Sequence, residues 1–125
     1  MLVEQILDDA AQILSDPDNW AQGQFVKKDG SGRESYCSME ALWVATAGLQ
    51  AATQRGLESE YFEAVRLLVE SISELDPDYG KDFPPPHKSD YSTFVMVWND
   101  LRRRKHVEVM QAFEKAVALA GERGL

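Results

Sequence analysis

Cysteine is nearly missing from this sequence: Cys37 stands alone, so no intrachain disulfide can form. Histidine is almost as rare, at His87 and His106 only. One cysteine and two histidines build no zinc-ligand pattern. Long apolar runs are absent too; none approaches the roughly 18 residues of a membrane-spanning helix. The opening stretch MLVEQILDDAAQIL has no basic n-region and carries Asp8 and Asp9 inside its apolar pattern, unlike a signal peptide. A cytoplasmic location is the expectation, with no membrane partner. A Gly-rich phosphate loop is lacking, since Asp29-Gly30-Ser31-Gly32 has neither the lysine nor the helix context of one. The acidic run DPDYGKD, with Asp76, Asp78 and Asp82, lacks the sixth-position glycine and the closing glutamate of an EF-hand. Neither a metal site nor a cofactor is expected.

Basic residues are in the minority as well. The chain has 125 residues and a net charge of −8. Residues 1–35 carry −4, residues 36–80 carry −6, and residues 81–125 carry +2. A general nucleic-acid binder is expected to be basic, so that class is disfavoured. An acid excess keeps a protein soluble, and it also offers a face for a basic partner. The length fits one domain, residues 1–125. The hydrophobic content of 44% and charged content of 27% are those of an ordinary globular chain.

Periodicity organises what is present. Val3, Ile6, Leu7, Ala10 and Leu14 recur at helical spacing and predict a helix over 2–15. Asp16-Pro17 ends it. Residues 17–37 read as non-helical, with Phe25-Val26 and Tyr36-Cys37 as short β-capable arms about the DGSG turn. Trp20, Phe25 and Tyr36 are the expected anchors of that hairpin or structured loop. A second helix is predicted over 39–54, capped by Ser38, with Leu42, Ala45, Thr46, Leu49 and Ala52 on a small-residue face. Arg55-Gly56 reads as its stop. The clearest amphipathic helix is predicted over 58–75, where Tyr61, Val65, Leu68, Ile72 and Leu75 form one stripe and Phe62 and Val69 widen it. Its opposite face carries Glu58, Glu60, Glu63, Glu70 and Glu74. Residues 76–89 read as a proline-rich connection. A short buried helix over 91–98, or a strand in its place, and a final helix over 105–121 complete the chain.

The candidate chemistry is sparse. Cys37 precedes a helix N-terminus, where a thiol pKa can be lowered; His87 or His106 as base and Asn99 as orienter would follow triad logic. The alternative for Cys37 is an inert buried residue. Arg102-Arg103-Arg104-Lys105 places four cations at the start of a helix, against its dipole. Trp98-Asn99-Asp100 stands just before them, and Asn and Asp are turn-and-cap types that bond nearby backbone N–H groups.

Three patches resemble an uncharacterised small domain family of bacterial and phage genomes, known only as a domain of unknown function. They are Trp20-Ala21-Gln22-Gly23, Cys37 with Ala41-Leu42, and Trp98-Asn99-Asp100 followed by Arg104 and Glu108-Val109. Glu40 stands where that family usually has glycine, and Lys105 where it has Thr or Ser. The resemblance implies a small, mostly helical fold and a phage or mobile-element origin. It nominates Trp20, Gly23, Cys37, Asn99, Asp100 and Arg104 as one cluster.

The resulting expectation is a mainly α fold: a compact bundle of four or five helices with a small β-hairpin or structured loop near residues 24–37. Its expected function is that of a small acidic, non-enzymatic interaction protein, in its sharpest version a phage accessory protein that binds and modulates a host protein. Glu60, Glu63 and Glu70 would form the docking face. The alternative is a small-molecule or nucleotide-binding domain, or an enzyme, built on Cys37, Asn99, Asp100 and Arg104. Homodimerisation through the alanine-rich face of the second helix is a third expectation.

Overall fold

The computed structural model describes residues 1–83 and 90–125. They form six helices and one hairpin: α1 (Leu2–Leu14), β1 (Val26–Lys28), β2 (Glu34–Tyr36), α2 (Ser38–Thr53), α3 (Glu58–Leu75), α4 (Pro77–Asp82), α5 (Tyr91–Asp100) and α6 (His106–Glu122). The fold is thus the expected helical bundle with a small hairpin, with one more helix than expected. The Pro84-Pro85-Pro86 run and His87 lie outside the described residues.

α1 is the central helix. The stripe Val3, Ile6, Leu7, Ala10 and Leu14 is buried, and it packs against α6, α2 and α3. The last carbonyls of a helix have no partner within it, and here side chains supply them. Asn19 Nδ2 donates to the Ile13 carbonyl at 3.2 Å, and His106 Nε2 to the Leu14 carbonyl at 2.6 Å. At the other end, the Val3 N–H donates to the Leu125 carbonyl at 3.1 Å, tying α1 to the close of the chain.

Each Asp-Pro-Asp triplet does more than stop a helix. Asp16 Oδ1 accepts from the Asp18 N–H at 2.9 Å, and Pro17 opens a 3₁₀ turn over Pro17–Asn19. Asp76 Oδ1 accepts from the Tyr79 N–H at 3.3 Å, and Pro77 opens α4. An aspartate at the cap and a proline in the first turn form a helix start. That reading was open in the sequence and corrects the proline-rich connection expected from residue 76. Gly80 lets α4 lie close to α3: a β-carbon there would sit 3.3 Å from Ser73.

The hairpin pairs Val26 with Tyr36, Lys27 with Ser35 and Lys28 with Glu34, antiparallel. Asp29 closes it, its Oδ1 accepting from the N–H groups of Ser31 and Arg33. A two-stranded ribbon needs outside support. Arg33 provides it by reaching Asp16 Oδ2 and Asn19 Oδ1, each at 2.9 Å. Trp20 and Tyr36 pack on the core as expected, but Phe25 is 54% exposed and anchors nothing there.

Other expectations shift by a turn or a face. The cap of α2 is Cys37, not Ser38. The chain leaves α2 at Gln54, which takes a left-handed conformation (φ 56°), ahead of the expected Arg55-Gly56 stop. Ala52 is exposed. In α3, Val65, Leu68, Val69 and Ile72 are buried, whereas Phe62 and Leu75 are exposed. Residues 91–98 are helical rather than strand, and α5 runs on through Asn99 and Asp100. Val97 of that helix faces outward.

Candidate functional site around Asn99

Asn99 is fully buried near the end of α5. Its side-chain oxygen accepts from Trp20 Nε1 at 2.8 Å, from the Ser38 N–H at 3.1 Å and from Ser38 Oγ at 2.6 Å. Its amide nitrogen donates to the Ala21 carbonyl at 3.0 Å and to Asp100 Oδ1 at 2.9 Å. Donors surround one end of the amide and acceptors the other, so the network dictates its orientation. One side chain therefore ties together the Trp20–Gly23 loop, the start of α2 and the end of α5.

The neighbours extend this clamp. Asp100 Oδ1 accepts from the Gly23 N–H at 3.0 Å. Gly23 has φ +80°, a conformation glycine adopts without the cost a β-carbon brings. Gln22 Nε2 donates to the carbonyls of Asn99 and Leu101, at 2.9 and 2.8 Å. The expectation that Asn99 and Asp100 bond backbone nearby and so turn the chain into α6 is thereby corrected: apart from their own contact, their side chains reach segments far away in sequence.

Cys37 joins the cluster as a structural group. It is 3% exposed, and its sulfur accepts from the Glu40 N–H at 3.4 Å. Burial pushes its thiol pKa up, outweighing the backbone N–H groups of Glu40 and Met39 that pull it down. The helix start does not activate it. With Asp100, Gly23, Phe25 and Met96 it borders a hollow of only about 80 Å³, against roughly 300–1,000 Å³ for ordinary ligand pockets. A larger groove of about 540 Å³ lies between the Pro17–Gln22 stretch and the hairpin. Trp20 lines it, but Cys37, Asn99, Asp100 and Arg104 do not.

Arg104 departs from the cluster. Its guanidinium lies 4.2 Å from the Trp98 ring centroid, a cation–π stack. Nε donates to the Trp98 carbonyl at 3.0 Å, and the terminal nitrogens reach Asp76 at 3.0 Å and Glu108 at 3.3 Å. The side chain is 3% exposed. This explains one cation of the 102–105 run: it is held by two carboxylates and an indole, and it joins the start of α4 to α6. Lys105 precedes α6 without a capping hydroxyl; its N–H donates instead to Glu108 Oε1 at 2.8 Å. Trp98 is 1% exposed, and its Nε1 has no hydrogen-bond partner among the described residues.

The glutamates of α3 are less available than their spacing implies. Glu60 pairs with Arg55 at 3.2 Å and Glu63 with Arg66. Glu70 meets Arg66 at 3.7 Å and Arg123 Nη1 at 2.9 Å. The bond from Arg123 holds the Glu70 carboxyl below its ordinary value. Glu74 pairs with Lys115 at 2.9 Å.

Ser38, Gln22 and Asp76 are the residues that sequence reasoning missed. Only Asp76 left a legible sign, its Asp-Pro cap. Among the described residues, no group of three or more His, Cys, Asp or Glu side chains is placed to hold a metal ion, and no helix is long and apolar enough to cross a membrane.

No curated protein and no solved structure matches the chain. A family model does, over residues 1–119. The chain belongs to that family, DUF6197, a family of unknown function.

Proposed function

We propose that this chain is a non-enzymatic interaction protein that acts through its surface. One observation carries this reading: the polar atoms of the candidate cluster are engaged inside the fold. Asn99 is saturated by five hydrogen bonds through its side chain. Cys37 is buried with a raised pKa. Arg104 is stacked and paired. Meanwhile Trp43 and Phe62 stand 48% and 63% exposed, and exposed aromatic groups favour protein contacts. The same arrangement weighs against the ligand-pocket alternative. An accessory role, binding and modulating a host protein, is the sharpest form of the proposal.

Within that form, docking through Glu60, Glu63 and Glu70 is the weaker route. A basic partner has to displace Arg55, Arg66 and Arg123 from those carboxylates first. The test is a pull-down from bacterial lysate with tagged wild type, a Cys37→Ala variant and a Glu60→Gln, Glu63→Gln, Glu70→Gln triple variant, read by mass spectrometry. The expected result is one protein enriched by wild type and by Cys37→Ala. A small molecule that raises the melting temperature of wild type but not of Cys37→Ala overturns the proposal in favour of the pocket. A partner retained by the triple variant removes the glutamate route alone.

A further inference from the structure

The hairpin turns one polar face toward the Pro17–Gln22 stretch. Alternate side chains of a strand, and those of cross-strand partners, point the same way. Lys27 pairs with Ser35, and nearer the turn the Asp29 N–H donates to the Arg33 carbonyl at 3.0 Å, so these residues share a face. With Asp18 and Trp20 they line the groove of about 540 Å³, within the roughly 300–1,000 Å³ of ordinary ligand sites. The hairpin and the stretch facing it are fastened together. The Ala21 N–H donates to the Tyr36 carbonyl at 2.9 Å, and Arg33 crosses to Asp16 and Asn19. We propose that this groove binds a neutral saccharide, on the scale of a disaccharide.

What each side chain leaves unspent selects that ligand. The Trp20 indole N–H is given to Asn99, which does not line the groove, so the indole offers the groove carbon surface alone. Asp29 Oδ1 accepts from the Ser31 N–H and hydroxyl and from the Arg33 N–H, and Oδ2 is spare. Arg33 commits Nε and Nη2, and Nη1 is spare. Gln22, also in the lining, commits Nε2 to the carbonyls of Asn99 and Leu101 and keeps Oε1. Among the described residues, the Lys27 amine and the Asp18 carboxylate have no partner. One set of atoms therefore holds the groove in shape while another is presented to a ligand, which is how a site is preorganised.

Charge and polarity narrow the occupant. Asp18 and Asp29 balance Lys27 and Arg33, so an anionic ligand meets carboxylates and a cationic one meets cations. An apolar ligand would strip water from all of them without replacing it. A hydroxyl both donates and accepts, so a neutral polyol satisfies the amine, the guanidinium and the carboxylates alike. A sugar ring adds a face of C–H bonds, whose slight positive charge suits the negative face of an indole. Binding exchanges hydrogen bonds to water for hydrogen bonds to hydroxyls, so dissociation on the order of 0.1–1 mM is expected.

Cys37 does not line this groove, so saccharide binding persists in Cys37→Ala and stands or falls apart from the interaction-protein reading. The isotopically labelled full chain is titrated in an NMR experiment with cellobiose, maltose, lactose and N,N′-diacetylchitobiose, to about 20 mM, well above the expected dissociation constant. At least one sugar should shift the amides of residues 18–22 and 27–35 saturably. Salt should leave the affinity unchanged, since the ligand has no charge to screen. Asp18→Ala and Lys27→Ala, both at exposed positions, should each weaken binding roughly five- to tenfold. Gln111→Glu, at an exposed position of α6, should bind like wild type. The amide spectrum of each variant reports whether it is folded, and Trp20 is left intact because it also bonds Asn99. No saturable shift with any of these sugars overturns the proposal, as do shifts confined to other residues or undiminished binding by both alanine variants. Sodium phosphate or glycylglycine moving these amides where the sugars do not overturns it as well, and assigns the groove to an anion or a zwitterion.

Discussion

The indole N–H of Trp20 donates to the side-chain oxygen of Asn99 at 2.8 Å across 79 residues of sequence. Ser38 donates twice to the same oxygen from the start of α2. Asn99 is thus a junction among three segments with no covalent reason to be adjacent.

Asn99→Ala leaves the Trp20 indole, the Ser38 hydroxyl and N–H and the Ala21 carbonyl without their partner. A buried polar group left unpaired costs about 1–3 kcal/mol, and part of the set can rehydrate near the exposed Gly23 loop. The expected loss is ~3 kcal/mol in urea unfolding. Asn99→Asp should not rescue it, because a carboxylate cannot donate to Ala21 and repels Asp100. A loss under about 1 kcal/mol, the worth of a single ordinary hydrogen bond, would contradict the junction role.

Arg104→Ala removes a buried cation from Asp76, Glu108 and the Trp98 face. Asp76 and Glu108 are 23% and 39% exposed and can rehydrate, so the expected loss is about 2–3 kcal/mol, below the full cost of stranding a buried charge. Arg104→Lys should recover less than half, since a lysine keeps a charge but loses the planar stack and the donor to the Trp98 carbonyl. The urea midpoints of the three proteins rank them directly.

Tyr79 donates its hydroxyl to the Phe94 carbonyl at 2.6 Å. Burial, opposed by Arg104, pushes its pKa from 10.0 up to about 12. The unfolded phenol therefore ionises first. Stability from this group is full below pH 10.0 and is lost as pH rises toward about 12. Tyr79→Phe should cost about 1 kcal/mol near neutrality and show a shallower alkaline loss. Urea melts at pH 8 and above test both limbs; parallel curves would deny the shift.

Cys37 is expected to react slowly. A buried thiol with a raised pKa holds less thiolate at pH 8 than a free one. Labelling by a thiol reagent should be slow in buffer and rapid in urea. In buffer the rate should rise only above the usual thiol titration range. Rapid labelling of the folded protein at pH 7 would restore the nucleophile reading.

Gln54 ends α2 with φ 56° and ψ 39°, a conformation that costs an L-residue roughly 1 kcal/mol. Its side chain is exposed. Gln54→Gly should stabilise the protein by up to about 0.5 kcal/mol, the strain relieved less the entropy glycine adds to the unfolded chain. Thermal unfolding would show a small rise in midpoint; a fall would mean that the side chain has an unseen contact.

Much of the fold was legible before any coordinates. The α1 stripe, the final helix and the DGSG turn are local patterns, because 3.6-residue periodicity and turn chemistry act within a few residues. Asp-Pro at 76–77 was legible too as a helix start, though it reads equally as a stop, and this is how α4 escaped notice. The candidate cluster was half visible. Its residue types stand in the sequence, and the resemblance grouped Trp20, Gly23, Cys37, Asn99 and Asp100, which do meet. Arg104 was grouped with them but faces Trp98 and Asp76 instead.

By itself the sequence determined where five of the six described helices form, most of the residues they bury and the excess of negative charge. Only the tertiary structure decided what the polar residues do. Ser38 reads as a cap until Asn99, 61 positions later, accepts from its hydroxyl. Glu70 reads as a free acid until Arg123 reaches it from 53 positions away. The reason is physical: an apolar face requires only an apolar neighbour, which many arrangements supply, whereas a hydrogen bond or ion pair requires one group at one distance. That partner is set by the packing of the whole chain.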